Sequence, residues 1–244
     1  MGVAPSGRDG IDVWDGASIR ERRSPGGAET PCQRGGAPNI VDFLVHVRDH
    51  LALAGSALAL AVLFAVPFGS TLARFPMLQS AGLAAIGVAR VVPSLAVLAL
   101  MLPLLGVGFL PSLVALVLLA IPPIAVNTDL GLRGVPAPVS DAARGLGMSP
   151  RQIRRRVEWP LALPVVFAGI RTATVEVIAS ATLAAFIGGG GLGEYIVNGL
   201  AEADTPQLLE GALAVGALAL CAEASLGWIE RRLSARMGRA LLPE

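Results

Sequence analysis

Residues 141 to 160 read D-A-A-R-G-L-G-M-S-P-R-Q-I-R-R-R-V-E-W-P, a polar, arginine-rich segment set between long apolar runs. Asp141 to Leu146 predicts a helix and Gly147 breaks it. Ser149 then caps a second helix that has Pro150 at its first position, and Pro160 stops it. Two short helices meeting at a glycine make a protruding elbow. A soluble surface loop has no need of such a segment, whereas a membrane protein that grips a cytoplasmic partner does.

The rest of the chain supplies the membrane. Of its 244 residues 54% are hydrophobic and only 15% charged, with a mean hydropathy of +0.67. Soluble domains carry roughly a quarter charged residues, so composition alone predicts an integral, all-α membrane protein. All 19 basic residues are arginine, which reads as a coding bias. Cys32 and Cys221 lie in a polar tail and an apolar run, so neither a disulfide nor a cysteine metal site is expected. His46 and His50 stand four apart without a third ligand nearby, and no cofactor is expected.

Residues 1–40 are rich in Gly, Pro, Ser, Arg and Asp, and predict a disordered tail ahead of a transmembrane domain over 41–244. The tail lacks the apolar core and cleavage site of a signal peptide, so the first spanning helix is expected to act as the uncleaved insertion signal. About 20 apolar residues cross the ~30 Å hydrocarbon core. About five spans result: Leu51 to Leu72, Gly82 to Leu105, Leu110 to Leu130, Pro164 to Ile187 and Leu208 to Trp228. Arginine bias places the elbow and the tail holding Arg231, Arg232, Arg236 and Arg239 in the cytoplasm, and so puts the N-terminal tail outside.

Charged groups inside spans are costly and point to function. Arg90 either faces water or a partner helix, or snorkels toward an interface. Pro93 and Ser94 interrupt the same run. Asn127, Thr128 and Asp129 close the third span after Pro122 and Pro123, and either line a pathway or meet the headgroups. Arg171 and Glu176, five apart in the fourth span, do not pair ideally with each other. Each lines a pathway or a subunit interface, or is satisfied within the bundle. Gly188 to Gly193 matches G-x-G-x-x-G, yet follows a long apolar helix and not a strand, so it reads as a close-packed hinge at the external face. No P-loop and no catalytic constellation is present, and nothing points to nucleic acid.

D-A-A, three residues, Gly147, nine residues, then V-E-W-P resembles the E-A-A loop of ABC-importer membrane subunits, with Asp141 where glutamate is usual and Ala142, Ala143, Gly147 and Pro160 matching. Val91 to Gly108, the P-P-I-A-V-N-T run ending at Thr128, and Ala184 to Gly193 look like the permeases for glycine betaine, carnitine, choline or proline. The likeness departs at Arg90 and Val91, where such permeases often have Gln and Thr, and at Val126 and Asp129, which replace an Arg and a Tyr.

The resemblance implies a type I importer fold whose elbow, including Asp141, Ala142, Ala143, Gly147, Arg151, Arg154, Arg155 and Pro160, is the coupling-helix region of a permease. It implies a cytoplasmic ABC ATPase dimer, a second permease subunit, identical or related, and an extracytoplasmic solute-binding protein. The pathway candidates are then Arg90, Pro93, Ser94, Asn127, Thr128, Asp129 and Glu176. With one Tyr, three Trp and seven Phe, the chain has few rings to cage a cation, so selectivity is expected in the binding protein. A permease for another small solute such as methionine, and a self-sufficient secondary transporter, are the alternatives.

Overall fold

The computed structural model describes residues 40–241, and the described residues form helices joined by short turns. The N-terminal tail, with Cys32 and its arginines, lies outside them. Helices α1 (Ile40–Arg74), α2 (Pro76–Val91), α3 (Ser94–Leu105) and α4 (Phe109–Arg133) come first. The elbow follows as α5 (Ala137–Gly145), α6 (Pro150–Ile153) and a π-turn (Arg154–Glu158). Then come α7 (Trp159–Ser180), a 3₁₀ turn (Leu183–Ile187), α8 (Gly193–Ala201) and α9 (Thr205–Leu241).

Four helical stretches are long and apolar enough to cross a membrane: α1, α4, α9 and the run Pro150–Ser180. A fifth crossing is not one rod. The expected helix Gly82 to Leu105 is bent by 93° between α2 and α3. Pro93 has no backbone N–H to give and pushes Val92 into extended backbone, so the helix restarts at Ser94. The pair still runs from one end of the bundle to the other. Phe75 N donates to Thr71 O at the end of α1 (3.1 Å), and Gly108 N donates to Ile187 O (2.7 Å) at the opposite end.

α4 occupies the centre because its small residues admit neighbours on both sides. On α1, Ala54, Ala57, Ala61, Ala65 and Gly69 recur at helical spacing and are buried. They meet the buried Ala115, Leu116, Ala120, Ile124 and Ala125 of α4 in one core. A Cβ on Gly69 would stand 2.5 Å from Ala125 O, and one on Gly169 of α7 would stand 2.8 Å from Pro123 O. Without a hydrophobic driving force between helices in lipid, such close approach is what holds a bundle together.

Two expectations about helix ends are corrected. α1 begins at Ile40, well before Leu51, because its polar residues Asp42, His46 and His50 find partners on α7 and α8. Pro160 does not stop a helix. The π-turn widens the backbone ahead of it, Trp159 N bonding to Arg154 O five residues back. Pro160 then sits in the first turn of α7, where a missing N–H costs nothing.

Candidate functional site

At the elbow, the local sequence explains each bend. Gly147 has φ +81°, a left-handed conformation that glycine adopts without steric cost. Its N–H donates to Arg144 O (2.9 Å) and the N–H of Met148 to Ala143 O (3.2 Å), the paired bonds of a Schellman end. Ser149 N donates to Gln152 Oε1 (2.8 Å) at the start of the next helix. Ala143 and Ile153 are buried and anchor the elbow, while Ala142, Gly145 and Gly147 lie open, with nothing within 4 Å of a Cβ placed on either glycine.

Between those glycines Leu146 is 84% exposed, a large apolar side chain at the tip of a polar segment. Arg151, Gln152, Arg155 and Arg156, further along the elbow, line a hollow. Asp141 pairs with Arg144 at 2.5 Å, and Arg154 turns inward, donating to Ser70 O of α1 at 3.1 Å. The elbow thus combines a small-residue face, an apolar knob and a basic flank. Leu146 itself was not anticipated, although an apolar residue between two glycines at a helix end was the signal available.

The pathway candidates separate into two places. Asn127 and Thr128 return their side chains to their own helix, Nδ2 donating to Pro123 O and Oγ1 to Ile124 O, each at 2.8 Å. Asp129 is buried and accepts from Arg133 Nε (2.9 Å) and from Gln79 Nε2 (3.3 Å), while Arg133 Nη2 donates to Leu72 O (3.0 Å). This knot ties α1, α2 and α4 on the elbow side. Arg90, Pro93, Ser94 and Glu176, by contrast, line one cavity of about 230 Å³ at the α2–α3 break, together with Ser180.

The opposite end of the bundle is closed by packing. Gly188, Gly190 and Gly191 have positive φ, and a Cβ on Gly191 would stand 3.0 Å from His50 Cα. His50 Nε2 pairs with Ile178 O (3.1 Å), and His46 Nε2 with Glu194 (3.1 Å). The two histidines thus face different partners, and no group of three metal-ligating side chains occurs among the described residues. Tyr195, nearly buried, donates to Asp42 Oδ2 (3.3 Å) and meets Phe43 edge-on. No strand precedes the glycine run, so it carries no dinucleotide fold.

Spanning helices, a polar cavity at the α2–α3 break and a protruding elbow define a membrane permease. The family model for the binding-protein-dependent transport system inner membrane component matches residues 65–238. The chain belongs to that family, the membrane subunits of ABC importers, and is a component of the inner membrane. It is 44% identical over 193 residues to the carnitine transport permease protein OpuCB of Listeria monocytogenes, covering 79% of this chain and 88% of that one. It is 42% identical to the choline transport system permease protein OpuBB of Bacillus subtilis (79% and 89% covered). With the osmoprotectant import permease protein OsmW of Salmonella typhimurium it shares 40% identity (76% and 86%). The fold matches a chain of the inward-facing MetNI methionine ABC transporter with a TM-score of 0.71 at 20% identity, covering 81% of this chain and 99% of that one.

Proposed function

We propose that this chain is the permease subunit for quaternary-amine osmoprotectants of the glycine betaine, carnitine, choline and proline group. Its relatives named for carnitine, choline and osmoprotectant transport support that substrate class. ATP hydrolysis then belongs to a separate cytoplasmic ATPase dimer, which takes the elbow over residues 141–160 into a groove and transmits its closure to the spanning helices. The observation that carries this reading is the elbow's exposed tip, where Leu146 stands clear between glycines that leave room for a partner surface.

An extracytoplasmic binding protein delivers the solute, and a second permease subunit completes the pathway. Val88 and Val91, three residues apart on α2, are both exposed and leave an apolar face for that subunit. No aromatic ring lines the cavity, so an aromatic cage for the cation is left to the binding protein.

Cells without other osmoprotectant uptake, given this chain with its neighbouring genes, test the reading. Uptake of labelled glycine betaine, carnitine or choline that requires ATP and is lost in Gly147→Asp is the expected result. Uptake that persists without any ATPase subunit would indicate a self-sufficient carrier.

A further inference from the structure

The cavity at the α2–α3 break holds two opposite charges that do not touch. Arg90 ends α2 and Glu176 lies in the last turns of α7. Both line the cavity and are exposed within the chain, and Arg90's charge reaches Glu176. Among the described residues neither forms a hydrogen bond or an ion pair. Two separated, unpaired charges within spanning helices are each costly, and the cost falls when something of complementary charge sits between them.

The walls specify what that is. Beside Arg90, α3 begins at Ser94 with no side chain capping its first turn, so backbone N–H donors and the helix dipole add to the guanidinium. That end suits a carboxylate. Beside Glu176, Leu119 and Pro122 of α4 give an apolar wall. Methylated ammonium groups have no N–H to donate, so they need a countercharge and apolar contact, and not a hydrogen-bond acceptor set. A cavity of about 230 Å³ has the volume of roughly seven or eight waters at ~30 Å³ each, room for a small solute.

We infer that this cavity is a binding site on the translocation path for a small zwitterion, with Arg90 holding the carboxylate and Glu176 the methylated ammonium. The inference rests on the osmoprotectant reading and adds to it a distinction between solutes. Glycine betaine and carnitine engage both charges, whereas choline, which lacks a carboxylate, engages Glu176 alone.

The test uses the complete importer in proteoliposomes, with labelled glycine betaine and choline as probes. Arg90→Gln lowers glycine betaine uptake about tenfold more than choline uptake, the worth of a charge-assisted hydrogen bond, and Arg90→Lys restores part of it. Glu176→Gln lowers both by similar factors. Co-purification of the ATPase with each variant shows that the assembly survives. Equal loss of both solutes in Arg90→Gln, or no loss, overturns the site while leaving the importer reading intact. For an importer that carries zwitterions only, rescue by Lys and not by Gln decides the matter. A wild-type importer that carries none of glycine betaine, carnitine and choline overturns the osmoprotectant reading, and this site with it.

Discussion

Arg171 of α7 and Glu223 of α9 are joined by two guanidinium nitrogens converging on one carboxylate oxygen, Nε at 2.8 Å and Nη2 closer still. Glu230, two turns further along α9, takes the third nitrogen, Nη1, at 2.8 Å. One arginine therefore fastens α9 to α7 at two heights. It is satisfied by these two acids at the partly exposed α7–α9 seam. Arg171→Gln is expected to lower the melting temperature of the purified chain in detergent by a few degrees, with Arg171→Lys intermediate because an ammonium lacks the planar fork. Unchanged melting in both would mean that the pairing contributes nothing.

At Gly147 the backbone and the partner can be told apart. A non-glycine residue at φ +81° carries about 1 to 2 kcal/mol of strain, less for Asn and Asp. Nothing within the chain lies within 4 Å of the added Cβ. Gly147→Asn and Gly147→Asp should therefore insert and melt alike. ATPase co-elution and uptake should survive better in Asn and disappear in Asp. Loss of insertion in Gly147→Asp would assign the glycine to folding alone.

Close helix approach gives a third expectation. A methyl at Gly69 would stand 2.5 Å from Ala125 O and 2.8 Å from Thr128 Cβ, so Gly69→Ala forces α1 off α4 at a cost of about 1 to 3 kcal/mol. Gly55→Ala, on the same helix with nothing within 4 Å, should cost nothing. Thermal unfolding of the two variants side by side checks it.

The knot on the elbow side can be cut at its buried end. Asp129→Ala removes the acceptor shared by Arg133 and Gln79 and is expected to destabilise by about 1 to 3 kcal/mol. Faster protease cleavage between α4 and α5, at the residues after Arg133, is the measurement. A cleavage rate equal to wild type would show that Arg133 is held well enough by Leu72 O.

The elbow was legible in the sequence because its punctuation is local: Gly147, Ser149 and Pro150 each act on backbone within a few residues. The same rule misread Pro160, since a π-turn that absorbs a proline leaves no mark in composition. Hydropathy found the crossings because it counts apolar residues. It took Gly82 to Leu105 as one rod because it registers length and not direction, even with Pro93 in view. What lay beyond reach were pairings between distant parts of the chain. The acids that satisfy Arg171 lie 52 and 59 residues away. Asp42 and His46, which lengthen α1, depend on Tyr195 and Glu194. Of the charged residues in the spans, cost alone could mark Arg90, Asp129, Arg171 and Glu176. Only the fold shows that two are satisfied and two are left facing a cavity.

The π-turn has a mechanical consequence. Because the backbone widens at Arg154–Glu158 and does not break, Pro150–Ser180 is one continuous helical run of 31 residues, about 46 Å at 1.5 Å per residue, with Pro160 and Pro164 within it. One end is the elbow and the other carries Glu176. A displacement of the elbow end is carried along this run toward that carboxylate, less the bending that the π-turn and Pro164 take up. Arg90, across the cavity, hangs from the corner at Pro93. The two charges are therefore mounted differently, one on a continuous run from the elbow and one beside a bend.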